Sequence, residues 1–447
     1  MFSGTVLSAI DILITMASYP IYLKYLDAEM YGLWTIVSVV LTYSQLGQLR
    51  IGAALIKYAA DNYWKKDFRS ITEYTTTAFY ILTPISLIFV CVLFFLNGPI
   101  AGLLGVKESL RSEGEQLIFY VGIISMLSFY IDILRSTIIG AGRMDISRTV
   151  LFFCRFFQIM LAVGLLIWGF GIWSLYLGFL FYQVAAIMSF IIILKYTLKI
   201  QIFGLYAYKK QKMKEIFSYS GTLTIASIAN VLVVPFNKII LSRYVGLSEV
   251  AYYHIAYRLI NALRGSIFKG LEAIVPKFSE LYSRNMGAVK PLLATHKKAM
   301  LFALVATLPL FALIFVFANP ILKIWLGKGF HDEITVILQI LLIGWFFNIM
   351  AIPDAFLFLG IGEVRSNVTA TCIKSVTNLG IIFAFIFLKI PFTLEKVVII
   401  DSICLIFPVI YFKYKYFEFR RSKHVKPMVS VAAKNTKNAE PKPIESL

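Results

Sequence analysis

Apolar residues in this chain gather in long unbroken runs, separated by short polar or turn-rich breaks. A helix that crosses a bilayer needs about 20 mainly apolar residues. Twelve runs fit, at 4–23, 32–54, 75–97, 117–140, 149–169, 172–194, 216–241, 250–272, 299–322, 334–358, 366–389 and 394–416. Transmembrane strands would alternate polar and apolar positions over segments of about ten residues. The pattern therefore predicts an all-helical integral membrane protein with about 12 transmembrane helices.

Composition agrees. Of 447 residues, 59% are hydrophobic and 15% charged, with a mean hydropathy of +0.79, whereas soluble domains carry about 25% charged residues. A water-soluble globule is excluded, and 38 Phe with 25 Tyr exclude a disordered chain. The net charge of +19 would suggest nucleic acid in a soluble protein. Here the bases cluster in alternate breaks, such as Lys65, Lys66 and Arg69, then Lys209, Lys210, Lys212 and Lys214, then Lys290, Lys297 and Lys298. The positive-inside rule then places both termini in the cytoplasm, with membrane lipid and not nucleic acid as the partner of the surplus charge. The first run is read as a retained span and not a cleaved signal. Cys91, Cys154, Cys372 and Cys404 lie far apart in apolar runs, the pattern of packing residues.

A repeat organises the chain. Tyr25-Leu-Asp-Ala-Glu-Met-Tyr-Gly-Leu-Trp34 matches Tyr244-Val-Gly-Leu-Ser-Glu-Val-Ala-Tyr-Tyr253 with one insertion. Asn97-Gly-Pro99 pairs with Asn319-Pro320, Leu104-Gly105 with Leu326-Gly327, and Ile-Gly-Ala-Gly142 with Leu-Gly-Ile-Gly362, all near an offset of about 220 residues. An even number of spans per half implies parallel repeats related by a pseudo-two-fold axis along the membrane normal. The expected organisation is a six-helix lobe at 1–198, a cytoplasmic linker at 199–214, a second six-helix lobe at 215–418 and a basic disordered cytoplasmic tail at 419–447.

Soluble catalytic motifs are absent, and no connection is long enough for a catalytic domain. Candidate chemistry therefore lies with ionisable groups inside the spans, where a charge costs at least about 2.5–3.5 kcal/mol unless it faces protein or a watery cavity. At 100° per residue, His254, Arg258, Asn261, Lys269 and Glu272 share one helical face, and Arg264 lies beyond its edge. Thr371, Lys374 and Asn378 form a weaker stripe, and the second run contributes Gln45, Gln48 and Arg50. Asp132 and Arg135 sit at i and i+3. Arg50, Arg155, Lys269 and Lys374 could equally snorkel to an interface. Interior bases, with Lys238 among them, outnumber the interior acids Asp11, Asp132, Glu272, Asp354 and Asp401. The balance predicts a basic cavity for an anionic substrate, with Arg50, Arg135, His254, Arg258, Asn261, Arg264 and Lys374 as binding residues. Arginine suits phosphate because its planar fork donates two hydrogen bonds and stays protonated. Asp11, Asp132, Glu272 and Asp354 are the candidates for coupling H+ or Na+; no other cofactor and no metal site is expected.

Tyr25 to Trp34, Ile138-Ile-Gly-Ala-Gly-Arg143 and Tyr244 to Leu259 resemble corresponding segments of O-antigen and capsule flippases. These form the polysaccharide-transporter branch of the MATE-like (MOP) exporter superfamily. The resemblance implies two six-helix lobes in a V, in a bacterial inner membrane, moving undecaprenyl-diphosphate-linked oligosaccharide to the outer leaflet, with Arg50 and Arg258 as cavity arginines. It also implies lipid, a polysaccharide polymerase and a chain-length regulator as partners, and no enzymatic activity. The competing readings are a multidrug antiporter of the same superfamily, which should present acids to cationic drugs, and a membrane polysaccharide polymerase or glycosyltransferase, which would carry a long catalytic loop.

Overall fold

A computed structural model describes residues 2–201, 208–284 and 289–421. Among the described residues every regular element is helical. In chain order they are α1 (Phe2–Gly47), α2 (Ile51–Tyr63), α3 (Phe68–Phe95), α4 (Asn97–Leu103), α5 (Arg111–Gly140), α6 (Met144–Ile167), α7 (Trp173–Ile192), α8 (Lys210–Tyr244), α9 (Leu247–Glu272), α10 (Ile274–Arg284), α11 (Val289–Val316), α12 (Ala318–Leu326), α13 (Asp332–Met350), α14 (Ile352–Gly360), α15 (Val364–Phe387), α16 (Leu394–Cys404) and α17 (Ile406–Arg421). Eight helical stretches among the described residues are long and apolar enough to cross a membrane: Phe68–Phe95, Glu108–Gly140, Met144–Ile167, Trp173–Thr197, Val289–Val316, Asp332–Gly360, Val364–Phe387 and Leu394–Arg421. The other four expected runs fall on α1 with the start of α2, on α8 and on α9. The chain is thus an all-α, multi-span membrane protein. Exposed apolar side chains such as Phe95, Ile324 and Phe387, each at least three-quarters exposed, suit a lipid-facing surface.

The expected break at 24–31 is present as a kink within α1: at Asp27 (φ 55, ψ 177) the backbone leaves the helical region and a second helical stretch begins, and the Asp27 carboxylate accepts a hydrogen bond from the Met30 N–H at 2.9 Å. That bond satisfies one of the free amides in the first turn of the second stretch. The expected run 32–54 is itself interrupted, because Leu49 and Arg50 adopt left-handed backbone (φ 48 and 54) and α2 restarts at Ile51. The expected tail begins later than 419: Phe419 is buried at the end of α17, and residues 422–447 lie outside the described residues, as do 202–207 of the expected linker.

The chain forms two compact units. The first comprises Met1–Leu259, Phe317–Gln339 and Leu379–Ile400; the second comprises Ile260–Val316, Ile340–Asn378 and Asp401–Leu447. In the first, Ile51, Leu55, Ile71, Leu82, Phe129, Ile138 and Phe190 pack α2, α3, α5 and α7 into a buried cluster. Lipid is as apolar as this core, so close packing and not escape from water holds such helices together. A Cβ on Gly140 would lie 2.5 Å from the Ala59 Cβ, so only glycine lets α5 approach α2 this closely. In the second unit Gly360 plays the same part between α14 and α10, where a Cβ would lie 2.4 Å from the Phe278 Cβ.

The repeat is visible in these local devices. Gly142 and Gly362 follow the ends of α5 and α14 at φ 78 and 86. The Arg143 amide bonds to the Ile138 carbonyl at 3.2 Å, and the Glu363 amide to the Phe358 carbonyl at 2.8 Å, the bond that closes a Schellman helix end. Leu104-Gly105 and Leu326-Gly327 likewise end the short helices α4 and α12, with Gly105 at φ 73 and Gly327 at φ 55. Cys154 and Cys404 are buried, whereas Cys91 and Cys372 are exposed.

Candidate functional site

Non-helical backbone within a membrane segment persists only where it is buried in protein or lines a water-filled space. The turn between α1 and α2 meets that condition. It opens onto a cavity of about 460 Å³ lined by Gln45, Gln48, Arg50, Gly52, Asp132, Arg135 and Ser136 among others. Gly52 sets its floor, since a Cβ there would lie 2.3 Å from the Asp132 Oδ2 and 2.6 Å from the Ser136 Oγ. Three predicted residues, Arg50, Asp132 and Arg135, thus share one space.

A second cavity of about 260 Å³ adjoins it, with Gln45 lining both. Its wall carries Arg155 from α6, Lys238 from α8, and His254 and Arg258 from α9, facing Tyr19, Tyr22, Tyr31 and Trp34 of α1. Among the described residues no carboxylate lines it. Lys238 is buried, and its Nζ lies 2.9 Å from the His254 Nδ1. Arg155 donates from Nη1 to the Gln158 Oε1 at 3.0 Å and lies over the Phe179 ring, 5.6 Å from its centroid. The Tyr19 ring meets Tyr22, Tyr31, His254 and Trp325 edge-on, with centroids 6.1 to 6.3 Å apart. These contacts fix the imidazole among rings on one side and cations on the other. A third cavity of about 330 Å³ shares Arg155 and adds Asp11, Arg148 and Tyr182. Among the described residues along the three cavities, six Arg and Lys side chains stand against two carboxylates, Asp11 and Asp132. Such a lining attracts anions, and guanidinium forks can grip phosphate oxygens in pairs.

Other predicted residues fall elsewhere. Arg264 and Lys374 belong to the second unit and flank Trp345, at 5.1 and 5.3 Å from its ring centroid. The Lys374 Nζ lies 3.9 Å from the Asp401 Oδ1, an ion pair with a fully buried carboxylate. Asp354 is also fully buried in that unit: its Oδ1 contacts the His296 Nε2 at 2.8 Å, and its Oδ2 accepts from the Lys413 Nζ at 2.8 Å. The His296 ring stacks on Tyr416 at 4.4 Å. Asn261 is half-buried, and Glu272 and Lys269 are exposed near the end of α9; none of the three lines any of these cavities. The shared helical face therefore delivers His254 and Arg258 to one cavity but not the residues beyond them.

Sequence reasoning missed the aromatic wall and the binding potential of Lys238. Tyr19 and Tyr22 stand one turn apart in α1, and Tyr31 joins them only because of the kink at Asp27, which periodicity does not register.

The family model for polysaccharide biosynthesis proteins matches residues 24–335. The chain belongs to this family. A relative from Shigella flexneri, whose name describes an O-antigen transporter, is 23% identical over 389 residues, covering 84% of this chain and 87% of its own. Among solved structures, the chain is similar to an inward-facing multidrug resistance MATE family transporter of the MOP superfamily, with TM-score 0.75 at 14% identity over 93% of this chain and 94% of that one. It is similar too to the lipid II flippase MurJ in an inward closed conformation, with TM-score 0.73 at 16% identity over 93% and 88%. The polysaccharide biosynthesis chain therefore has a MATE-like fold, and the family match spans Arg50, Arg135, Arg155, Lys238, His254 and Arg258.

Proposed function

We propose that this protein is a flippase that carries undecaprenyl-diphosphate-linked oligosaccharide, an O-antigen or capsule repeat unit, from the cytoplasmic to the outer leaflet of a bacterial inner membrane. The reading rests above all on the cavity lined by Arg155, Lys238, His254 and Arg258, with no carboxylate among the described lining residues. A diphosphate entering there meets charge-assisted donors, each bond worth about 1.5–3 kcal/mol. Tyr19, Tyr31 and Trp34 offer ring faces and hydroxyl groups to the first sugar, and the adjoining Arg50 and Arg135 cavity gives the glycan room. The polyprenyl chain stays in lipid, so the protein need only shelter the polar head. Family membership and the similarity to an O-antigen transporter and to MurJ favour this substrate class. No bond of the substrate is broken in this scheme, and a polysaccharide polymerase acts afterwards on the delivered unit. H+ or Na+ coupling falls to Asp11 or Asp132 in the cavities, or to Asp354 and Glu272 outside them. A cationic-drug antiporter is disfavoured, because the acid-free wall would repel its substrate.

The test is reconstitution of purified protein in liposomes with a fluorescent undecaprenyl-diphosphate glycan, read by exposure to an external quencher. Wild type should translocate the glycan, while Arg258→Ala and Arg50→Ala proteins, folded by their elution and melting profiles, should be at least tenfold slower. Export of an organic cation, with no glycan movement under any imposed ion gradient, would replace this reading with the antiporter.

A further inference from the structure

Lys238 and His254 have the geometry of a pair that lacks one proton. Their nitrogens lie 2.9 Å apart, a hydrogen-bond distance, so one donates and the other supplies a lone pair. Either the ammonium donates to a neutral imidazole, or an imidazolium donates to a neutral amine. With both fully protonated there is no lone pair to accept, and two like charges face each other.

The surroundings reinforce this. Around His254 stand Lys238 from α8, Arg258 one turn along α9, Tyr19, Tyr22 and Tyr31 from α1, and Arg155 from α6; among the described residues no carboxylate lines the space to compensate a second charge on the pair. An entering diphosphate changes that balance, because its oxygens can accept from both nitrogens at once and replace the bond between them.

We infer that the Lys238–His254 pair takes up a proton when a diphosphate anion enters this cavity, so that substrate binding and protonation are linked. The inference rests on the flippase reading above and adds to it a proton-binding element that none of the predicted carboxylates supplies. In the step, the Lys238–His254 hydrogen bond breaks, one proton arrives from water, and each nitrogen then donates to a phosphate oxygen. On release the diphosphate leaves, the proton returns to water, and the bond between the two side chains re-forms. His254 acts here as a direct ligand whose charge state matches that of its anion.

The linkage sets a pH dependence. Over the interval where the empty pair holds one proton and the occupied pair two, affinity falls as pH rises, by up to about tenfold per unit for one proton taken up.

The experiment is calorimetric titration of the full chain in nanodiscs with a short-chain prenyl diphosphate at pH 8, in two buffers of different ionisation enthalpy. Wild type should take up close to one proton per ligand bound, and its affinity should fall between pH 7 and 9. His254→Gln keeps an acceptor for Lys238 but cannot titrate; it should bind with near-zero proton uptake and a flat pH profile. Wild-type binding without proton uptake would overturn the inference and leave the flippase reading standing, as would equal uptake by His254→Gln. No binding of prenyl diphosphate by wild type at any pH would overturn both. The wild-type proton count decides the matter even if the variant fails to fold.

Discussion

Arg50 combines a strained backbone with a cavity-lining side chain, and substitution can separate the two. Its φ of 54 and ψ of 24 place it in the left-handed region, next to Leu49 at φ 48. A side chain with a Cβ loses about 1–2 kcal/mol there. Glycine avoids that loss but gives back about 0.5–1 kcal/mol in the flexibility it sacrifices on folding. Arg50→Gly should therefore be more stable than Arg50→Ala by about 0.5–1 kcal/mol, measured by reversible unfolding in mixed micelles. Both variants lose the guanidinium. A lost charge-assisted hydrogen bond of about 1.5–3 kcal/mol corresponds to roughly 10- to 150-fold in affinity, so both should bind or translocate the lipid-linked glycan poorly and to the same degree. Equal stability of the two variants would show that the turn is not strained at Arg50. Near-normal translocation by Arg50→Gly would show that the residue serves the backbone and not the substrate.

The glycine contacts of the two halves should respond alike: Gly140→Val and Gly360→Val push a side chain against Ala59 and Phe278 respectively and should each cost about 1–3 kcal/mol in unfolding experiments. Asp354→Asn removes the charge shared by His296 and Lys413 and should destabilise the protein by about 1–3 kcal/mol, less than a fully enclosed pair because Lys413 is 38% exposed and can turn to water. Adding Lys413→Met should recover part of that loss in a double-mutant cycle, and strict additivity would show that the two side chains do not interact. Arg155→Lys keeps the charge but loses the planar fork that reaches Gln158 and covers Phe179, so glycan binding should weaken several-fold while folding is retained; unchanged binding would remove Arg155 from the site.

Much of the fold was readable because apolar runs of bilayer length have few structural solutions. The repeat was readable through its helix ends, since Gly142 and Gly362 mark the same left-handed turn at the same offset. The interruption at Leu49 and Arg50 left no such mark: neither residue is glycine or proline, and Gln45, Gln48 and Arg50 read equally well as polar positions on one continuous helix. For the site, i and i+4 spacing joined His254 to Arg258 within one helix, and i and i+3 spacing joined Asp132 to Arg135. Spacing within a helix carries no information about Lys238, which reaches His254 from α8, or about Tyr31, which reaches the same ring past a kink. Arg264 and Lys374 illustrate the converse. Their charge made them candidates, yet they meet each other across Trp345 in the second unit and not in the cavities of the first.

Photo-crosslinking with an undecaprenyl-diphosphate glycan that carries a diazirine on its first sugar asks most directly whether the acid-free cavity receives the lipid-linked head group. Labelled peptides should map to α1 around Tyr19–Trp34 and to α9 around His254–Arg258, and excess unlabelled lipid-linked glycan should suppress them. Arg258→Ala should weaken this labelling at least tenfold. Labelling confined to lipid-facing residues, or equally strong with an uncharged lipid-linked sugar, would contradict an anion-binding cavity as the route of the substrate.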